Sequence, residues 1–97
     1  EVLDFYQGIT PNFIDAIFSS NHDQPRLLND LKEDPAKYKQ ASAILLTMPG
    51  APYLYYGEEI GMLGLKPDEN IREPFLWDAQ AKDSGRPTWI ASKYSTD

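Results

Sequence analysis

The sequence predicts an α/β fold in which two parallel strands flank one helix. Two short apolar segments, residues 15–20 (DAIFSS) and 51–57 (APYLYYG), have the length of buried strands, and the segment between them has helical spacing. A strand–helix–strand unit with a short return loop makes the strands parallel and lays the helix across the sheet.

The first strand follows residues 10–13, which contain Pro and Asn and are typical of a loop. Directly after it come Asn21, His22 and Asp23. Residues 24–33 are polar, with leucines spaced for a loose helical turn.

The predicted helix begins at Asp34-Pro35, an N-cap followed by a proline in the first turn. Its apolar stripe recurs at steps of three, four and three residues, at Tyr38, Ala41, Leu45 and Met48. Pro49-Gly50 ends it, and residues 51–57 form the second strand, which is aromatic and closes on a glycine.

Residues 60–97 are rich in Gly, Pro and charge and predict no third strand or long helix. Such a long irregular segment is uncommon in a compact domain, and two parallel strands alone leave both sheet edges open. The sequence therefore predicts a part of a larger domain.

Composition excludes some functions. The net charge of −6 and scattered basic residues argue against nucleic-acid binding. The longest apolar stretch, residues 41–48, is too short to span a bilayer, and Glu1 begins no signal-peptide pattern. The absence of cysteine fits a cytoplasmic protein and a secreted bacterial one equally, so the compartment stays open.

The first candidate site is Asn21-His22-Asp23, at the end of a predicted parallel strand, where α/β proteins build active sites. A carboxylate beside an imidazole suits the vicinal hydroxyl groups of a sugar. The alternative is that the three residues cap the following turn and that His22 bonds only to nearby backbone.

A second group is Glu58-Glu59, just past the second strand. Adjacent side chains diverge, whereas retaining glycosidases hold two carboxyl groups about 5 Å apart from different parts of the chain. We therefore expect one glutamate to be structural and the other solvated, with Glu59 bracing the turn. The nearby tyrosines are expected to pack rather than to bind sugar.

A third group, Ile71 to Asp78, lies in the irregular segment. The arginine and the tryptophan suit a sugar ring, or the tryptophan anchors the loop to the protein body. The acidic residues of this region have no calcium-loop spacing, so no metal ligand is assigned to Asp68, Glu69, Asp78 or Asp83.

Three segments together resemble the end of the catalytic domain in the α-amylase family of glycoside hydrolases. FSSNHD is similar to the family's fourth conserved region, and GAPYLYYGEEIGM to its eighth barrel strand and the following turn. KPDEN with REPFLWD resembles a loop of members intermediate between bacterial α-amylases, oligo-1,6-glucosidases and neopullulanases. The resemblance implies that residues 1–97 are a partial catalytic domain, a C-terminal fragment holding about the seventh and eighth strands of a (β/α)8 TIM barrel.

The resemblance also implies roles for four residues. Asp23 would be the third catalytic carboxylate, which stabilises the oxocarbenium-like transition state, and His22 would bond to the same sugar. Asn21 and Arg72 complete the implied substrate-binding set. The family's nucleophile and acid/base belong to motifs that do not occur in these 97 residues, so the chain alone is expected to be inactive.

For the parent protein the resemblance implies a retaining glycoside hydrolase acting on α-1,4-glucosidic bonds of starch-like glucans and maltooligosaccharides. The alternatives are an oligosaccharide α-glucosidase, acting on α-1,4 or α-1,6 bonds, and a non-catalytic carbohydrate-binding or structural fragment. The implied partners are the α-glucan substrate and the remainder of the barrel, with no nucleic acid and no membrane segment. No cofactor is expected in this segment. The resemblance implies that the parent protein can hold a structural calcium ion, whose ligands in family members usually lie in segments absent here.

Overall fold

The computed structural model describes residues 2–75, 77 and 87–94. Helices and strands alternate through most of this range, joined by irregular segments. In chain order they are α1 (Val2–Ile9), β1 (Ala16–Phe18), α2 (Leu27–Asp30), α3 (Pro35–Thr47), β2 (Ala51–Tyr53), a 3-10 turn (Glu58–Ile60) and α4 (Asp68–Ile71).

The two strands pair in parallel, with Ala16 opposite Ala51 and Phe18 opposite Tyr53. This confirms the predicted strand–helix–strand unit, although each strand has only three residues and is shorter than expected. Gly50 leads into β2 with φ +129°, and a Cβ there would lie 2.7 Å from the carbonyl oxygen of Asp15. A larger residue would push β2 away from the end of the loop before β1.

Helix α3 begins as predicted. The carboxylate of Asp34 accepts hydrogen bonds from the backbone N–H groups of Ala36 (2.9 Å) and Lys37 (3.2 Å), which are left without partners at a helix start. Leu45 is buried beneath the helix. The predicted stripe is wrong at Met48, which is exposed because the helix has already ended and the chain is extended there.

Helix α1 was not predicted, since residues 2–9 lack a clear capping signal. The ring of Tyr6 stacks on that of Phe13 at 4.8 Å between centroids, which ties the helix to the following loop. Most of its apolar side chains remain exposed, among them Val2, Phe5 and Ile9.

The buried interior of the described residues is small and unusually polar. Its apolar members are Leu45, Met62 and Ile71, and its polar members are Ser20, Arg26, Glu58 and Glu73. Most of the polar members join the segment after β1 to the segment after β2 through hydrogen bonds. Polar contacts thus position the residues at the ends of the two strands.

Candidate functional site

A tight turn follows β1 and carries the first predicted site. The side-chain oxygen of Asn21 accepts a hydrogen bond from the backbone N–H of Asp23 at 2.9 Å, and its carbonyl accepts one from Gln24 at 3.3 Å. Asn21 therefore shapes the turn, as the capping alternative required. The side chains of His22 and Asp23 are 65% and 62% exposed, with His22 Nε2 3.3 Å from Asp23 Oδ2.

Arg72 joins this turn from a distant part of the chain. Its Nη2 donates to Asp23 Oδ1 at 3.0 Å across 49 positions of sequence, and its Nε donates to the carbonyl of His22 at 3.0 Å. The structure thus brings together Asn21, His22, Asp23 and Arg72. Their roles toward a sugar stay predictions.

Asp68 extends the contact between Asp23 and Arg72 into a row of alternating charges. Its carboxylate bonds to the ammonium of Lys66 and to Nη2 of Arg72, the latter at 3.0 Å. The Lys66 hydrogen bond is the main reason that the pKa of Asp68 is lowered, with smaller contributions from the charges of Lys66, Arg72 and His22. Because these groups are exposed, solvent screens their attraction, and the row alone holds Arg72 only weakly.

Glu58 joins the ends of the two strands. Its Oε1 accepts hydrogen bonds from the hydroxyls of Ser19 (3.0 Å) and Ser20 (2.6 Å), and its Oε2 accepts one from the backbone N–H of Tyr55 (3.1 Å). Its own carbonyl accepts a bond from the hydroxyl of Tyr38 at 2.5 Å.

The expectation that one glutamate is structural and the other solvated is confirmed, but the assignment was wrong. Glu58 is buried and Glu59 is exposed. The chain turns at Gly57, and the side chain of the first residue of the 3-10 turn, Glu58, is the one that returns between the strand ends.

Arg26 is a buried residue that the sequence reasoning missed. Its side chain is enclosed between two main-chain carbonyls and two rings: Nε donates to Ile71 at 3.1 Å, Nη1 donates to Tyr56, and the guanidinium carbon lies 4.2 and 4.5 Å from the ring centroids of Tyr55 and Tyr56. Its Nη2 is buried with no hydrogen-bond partner among the described residues. These two tyrosines therefore pack, as expected, but around a cation.

No sequence signal marked Arg26, because its partners lie 30 and 45 positions further along the chain. Burial, and then the neighbouring Tyr56, raises the pKa of Tyr55 to about 12. A neutral Tyr55 ring suits contact with the arginine.

The third predicted group is only partly described. Trp77 is 78% exposed and contacts Phe75 at 4.4 Å between ring centroids, so it does not anchor its loop by burial among the described residues. Asp78 and Asp83 lie outside those residues.

Within residues 2–75, 77 and 87–94, no three or more His, Cys, Asp or Glu side chains cluster as a metal site would require. None of the helices in these ranges is long and apolar enough to cross a bilayer.

Comparison with known proteins decides the family. The model of the alpha-amylase catalytic domain matches residues 2–96. The chain belongs to the alpha-amylase family. The resemblance found in the three sequence segments is thereby confirmed.

Individual known proteins are similar to most of the chain. Alpha-amylase 3 of Dictyoglomus thermophilum is 49% identical over 84 residues, which cover 87% of this chain and 17% of that protein. The 4-alpha-glucanotransferase of Thermotoga neapolitana is 35% identical over 91 residues, covering 88% of this chain and 20% of that protein.

A solved structure supports the same alpha-amylase relationship. The crystal structure of the alpha-amylase from H. orenii superimposes with a TM-score of 0.90 at 43% identity, over 98% of this chain and 20% of that one. The chain thus has the fold of a segment of an alpha-amylase, and it spans at most about a fifth of the length of these relatives.

Proposed function

We propose that the protein to which residues 1–97 belong is a retaining glycoside hydrolase that cleaves α-1,4-glucosidic bonds of starch-like glucans and maltooligosaccharides. The observation that carries this proposal is the exposed carboxylate of Asp23, which lies after a parallel strand beside His22 and in contact with Arg72. Relatives named alpha-amylase, 49% and 45% identical to the chain, support the choice of substrate.

Within that protein, we assign residues 1–97 to the catalytic barrel, at about its seventh and eighth strands. Two features support the assignment. The aromatic side chains of Phe18 and Tyr53, on the paired strands, are 51% and 62% exposed. The radius of gyration is 16.2 Å, whereas a compact chain of about 100 residues is expected near 13 Å. The remainder of the barrel would cover the exposed strands.

The proposed chemistry is a double displacement in which Asp23 does not attack carbon. Its carboxylate would bind hydroxyl groups of the reacting sugar and place negative charge near the ring as positive charge develops there. His22 would bond to the same sugar. The nucleophile and the acid/base would come from parts of the protein beyond these residues.

Asn21 and Arg72 would complete the sugar site in different ways. The side-chain oxygen of Asn21 is occupied by the turn, so its amide nitrogen is the atom proposed to donate to the substrate. The guanidinium of Arg72 already bonds to Asp23, and we propose that a sugar hydroxyl joins this contact. We propose no cofactor for residues 1–97 and place the ligands of any structural calcium ion in other parts of the protein.

A second candidate is action on short oligosaccharides as an α-glucosidase, or transfer of glucan chains in place of hydrolysis. A relative named probable oligo-1,6-glucosidase 2, from Bacillus subtilis, is 46% identical over 52 residues and favours the first. The 4-alpha-glucanotransferases of two Thermotoga species, each 35% identical over 91 residues, favour transfer.

The test is steady-state kinetics of the whole protein on a defined maltooligosaccharide, with the products and their anomeric form identified. We expect α-configured, shortened products from the wild type. Asp23→Asn keeps the shape of the side chain but removes its charge, so kcat should fall on the order of 10³-fold, about 4 kcal/mol of transition-state stabilisation, with KM changed much less.

The matched control is Asp30→Asn, the same substitution at an exposed position of α2, which should leave kcat unchanged. A folded Asp23→Asn variant with near-wild-type kcat would reject the role of Asp23. A wild type that cleaves no α-glucan would reject the hydrolase and leave the non-catalytic alternative. Longer glucans among the products would favour transfer.

A further inference from the structure

The main chain on both sides of Arg72 is held in place. The carbonyl of Ile71 accepts a hydrogen bond from Nε of Arg26 at 3.1 Å, and the carbonyl of Glu73 accepts one from the hydroxyl of Tyr56 at 2.8 Å. Ile71 and Glu73 are fully buried, whereas the side chain of Arg72 between them reaches the surface. Two buried residues, Ile71 and Glu73, thus flank the exposed guanidinium of Arg72.

Arg26 and Tyr56, whose side chains donate these two hydrogen bonds, also contact each other. Nη1 of Arg26 donates to the carbonyl of Tyr56, and its guanidinium carbon lies 4.5 Å from the centroid of the same ring. The backbone N–H of Arg26 donates to the carbonyl of Gly64 at 2.9 Å. A Cβ on Gly64 would lie 2.8 Å from the carbonyl oxygen of Asn70 and 3.1 Å from Cγ of Arg26, so only glycine allows this close packing.

Further contacts hold the segment at Glu73. Its buried carboxylate accepts backbone hydrogen bonds from Lys93 at 2.7 Å and from Tyr94 at 3.2 Å. The main chain through Arg72 is therefore tied to the segment after β1, to the segment after β2, and to residues near the end of the described chain.

These contacts form a closed loop of chain segments and hydrogen bonds that includes Asp23. From Asp23 the chain runs through the turn to Arg26, Arg26 bonds to Ile71, and the next residue, Arg72, bonds back to Asp23. An exposed arginine pays a substantial entropy cost to stay in one geometry, and exposed ion pairs contribute little by themselves. The contact between Arg72 and Asp23 consequently depends on where the main chain of Arg72 is held.

We propose that Arg26 and Tyr56 are positioning residues that hold Arg72 against Asp23 and so fix the orientation of the Asp23 carboxylate toward the substrate. Arg26 is only 1% exposed and does not reach a sugar itself. The kinetic part of the test rests on the proposed hydrolase function, and a structural measurement stands apart from it.

The kinetic test is a pair of double-mutant cycles in the whole protein. Arg26→Lys keeps the charge but loses the planar fork that bonds to two carbonyls at once, and Tyr56→Phe removes only the bond to Glu73. Each is combined with Arg72→Ala. We expect Arg26→Lys to lower kcat/KM on the order of 10-fold and Tyr56→Phe about 3-fold, and each to add less than about 2-fold once Arg72 is gone.

A purely structural role predicts a different result, since losses would then multiply whether or not Arg72 is present. The control for general destabilisation is Leu45→Ala, which opens a cavity under α3 at a residue outside this closed loop of contacts. It should lower the melting temperature while leaving kcat/KM of the folded protein unchanged.

The structural measurement is a crystal structure of Arg26→Lys, or of Tyr56→Phe where the lysine variant does not fold. We expect the separation of Arg72 Nη2 from Asp23 Oδ1 to exceed hydrogen-bonding distance, against 3.0 Å now. An unchanged separation overturns the proposal, as do multiplicative losses or variants with unchanged kcat/KM. If only one of Arg26 and Tyr56 fails to couple with Arg72 in its double-mutant cycle, the positioning role of that residue is rejected. An inactive wild type rejects the hydrolase function, and the crystal structure then decides the positioning role.

Discussion

Ser20 Oγ lies 2.6 Å from Oε1 of Glu58, so the last residue before the Asn21-His22-Asp23 turn is held by a carboxylate from the turn after β2. Both residues are buried. The same carboxylate also accepts bonds from Ser19 and from the backbone of Tyr55. Glu58 therefore acts as a clamp between the ends of the two paired strands, and the end of β1 is next in the chain to the turn that carries the proposed sugar site.

Glu58→Gln should destabilise the whole protein by about 1–3 kcal/mol, because one oxygen that accepts hydrogen bonds is replaced by an NH2 group, and at least one of the present donors loses its acceptor. Glu59→Gln is the matched control. Because Glu59 is exposed, this substitution should change the free energy of unfolding by no more than about 0.5 kcal/mol. The measurement is chemical denaturation of the three proteins side by side. A larger effect at Glu59 than at Glu58 would contradict the clamp.

Stability should fall at alkaline pH because of Tyr38. Burial, helped by the charge of Glu58, raises the pKa of Tyr38 from 10.0 to about 12 in the folded protein. A raised pKa favours the neutral phenol, so its contribution is complete below pH 10.0 and is lost as the pH rises through about 12. The melting temperature of Tyr38→Phe should therefore depend less on pH in this window than that of the wild type. Equal slopes for the two proteins would disprove this linkage.

His22→Ala in the whole protein should lower kcat/KM on the order of 10- to 10²-fold, less than the loss expected for Asp23→Asn. The imidazole contributes a hydrogen bond to the same sugar and lies 3.3 Å from the Asp23 carboxylate. Because the side chain is exposed, thermal stability should hardly change. The comparison uses the same maltooligosaccharide for both variants, and a larger loss at His22 than at Asp23 would reverse their proposed roles.

Residues 1–97 expressed alone should show no glycosidase activity, since the groups that form and break a covalent glycosyl intermediate are expected in motifs that these residues do not contain. The assay is release of reducing sugar from a maltooligosaccharide by material from a host that lacks amylases. Turnover that co-purifies with the chain would show that Asp23 is not an auxiliary group.

The isolated chain should also fail to unfold as a cooperative monomer. Only Leu45, Met62 and Ile71 form the buried apolar interior of the described residues, while many large apolar side chains are exposed. We expect a broad thermal transition whose midpoint depends on protein concentration. Circular dichroism measures the transition, and sedimentation measures the association state. A sharp, concentration-independent transition of a monomer would count against the partial-domain assignment.

Features that depend on near neighbours in the chain were predictable from the sequence. The Asp34 cap, the start of α3 and the parallel strands around it follow from local propensity and periodicity, which act over a few residues. The polar turn after β1 was predictable for the same reason. Helix α1, without a clear start signal, was not.

The tertiary structure alone decided which polar residues are buried and with what. Adjacent positions such as Glu58 and Glu59 are equivalent in composition, and only the direction of the turn after β2 separates the clamp from the solvated residue. Likewise, Arg26 is buried because carbonyls and rings 30 and 45 positions away converge on it, and Arg72 meets Asp23 across 49 positions. Such contacts form only when distant segments fold together, and their geometry has no counterpart in the local pattern of the sequence.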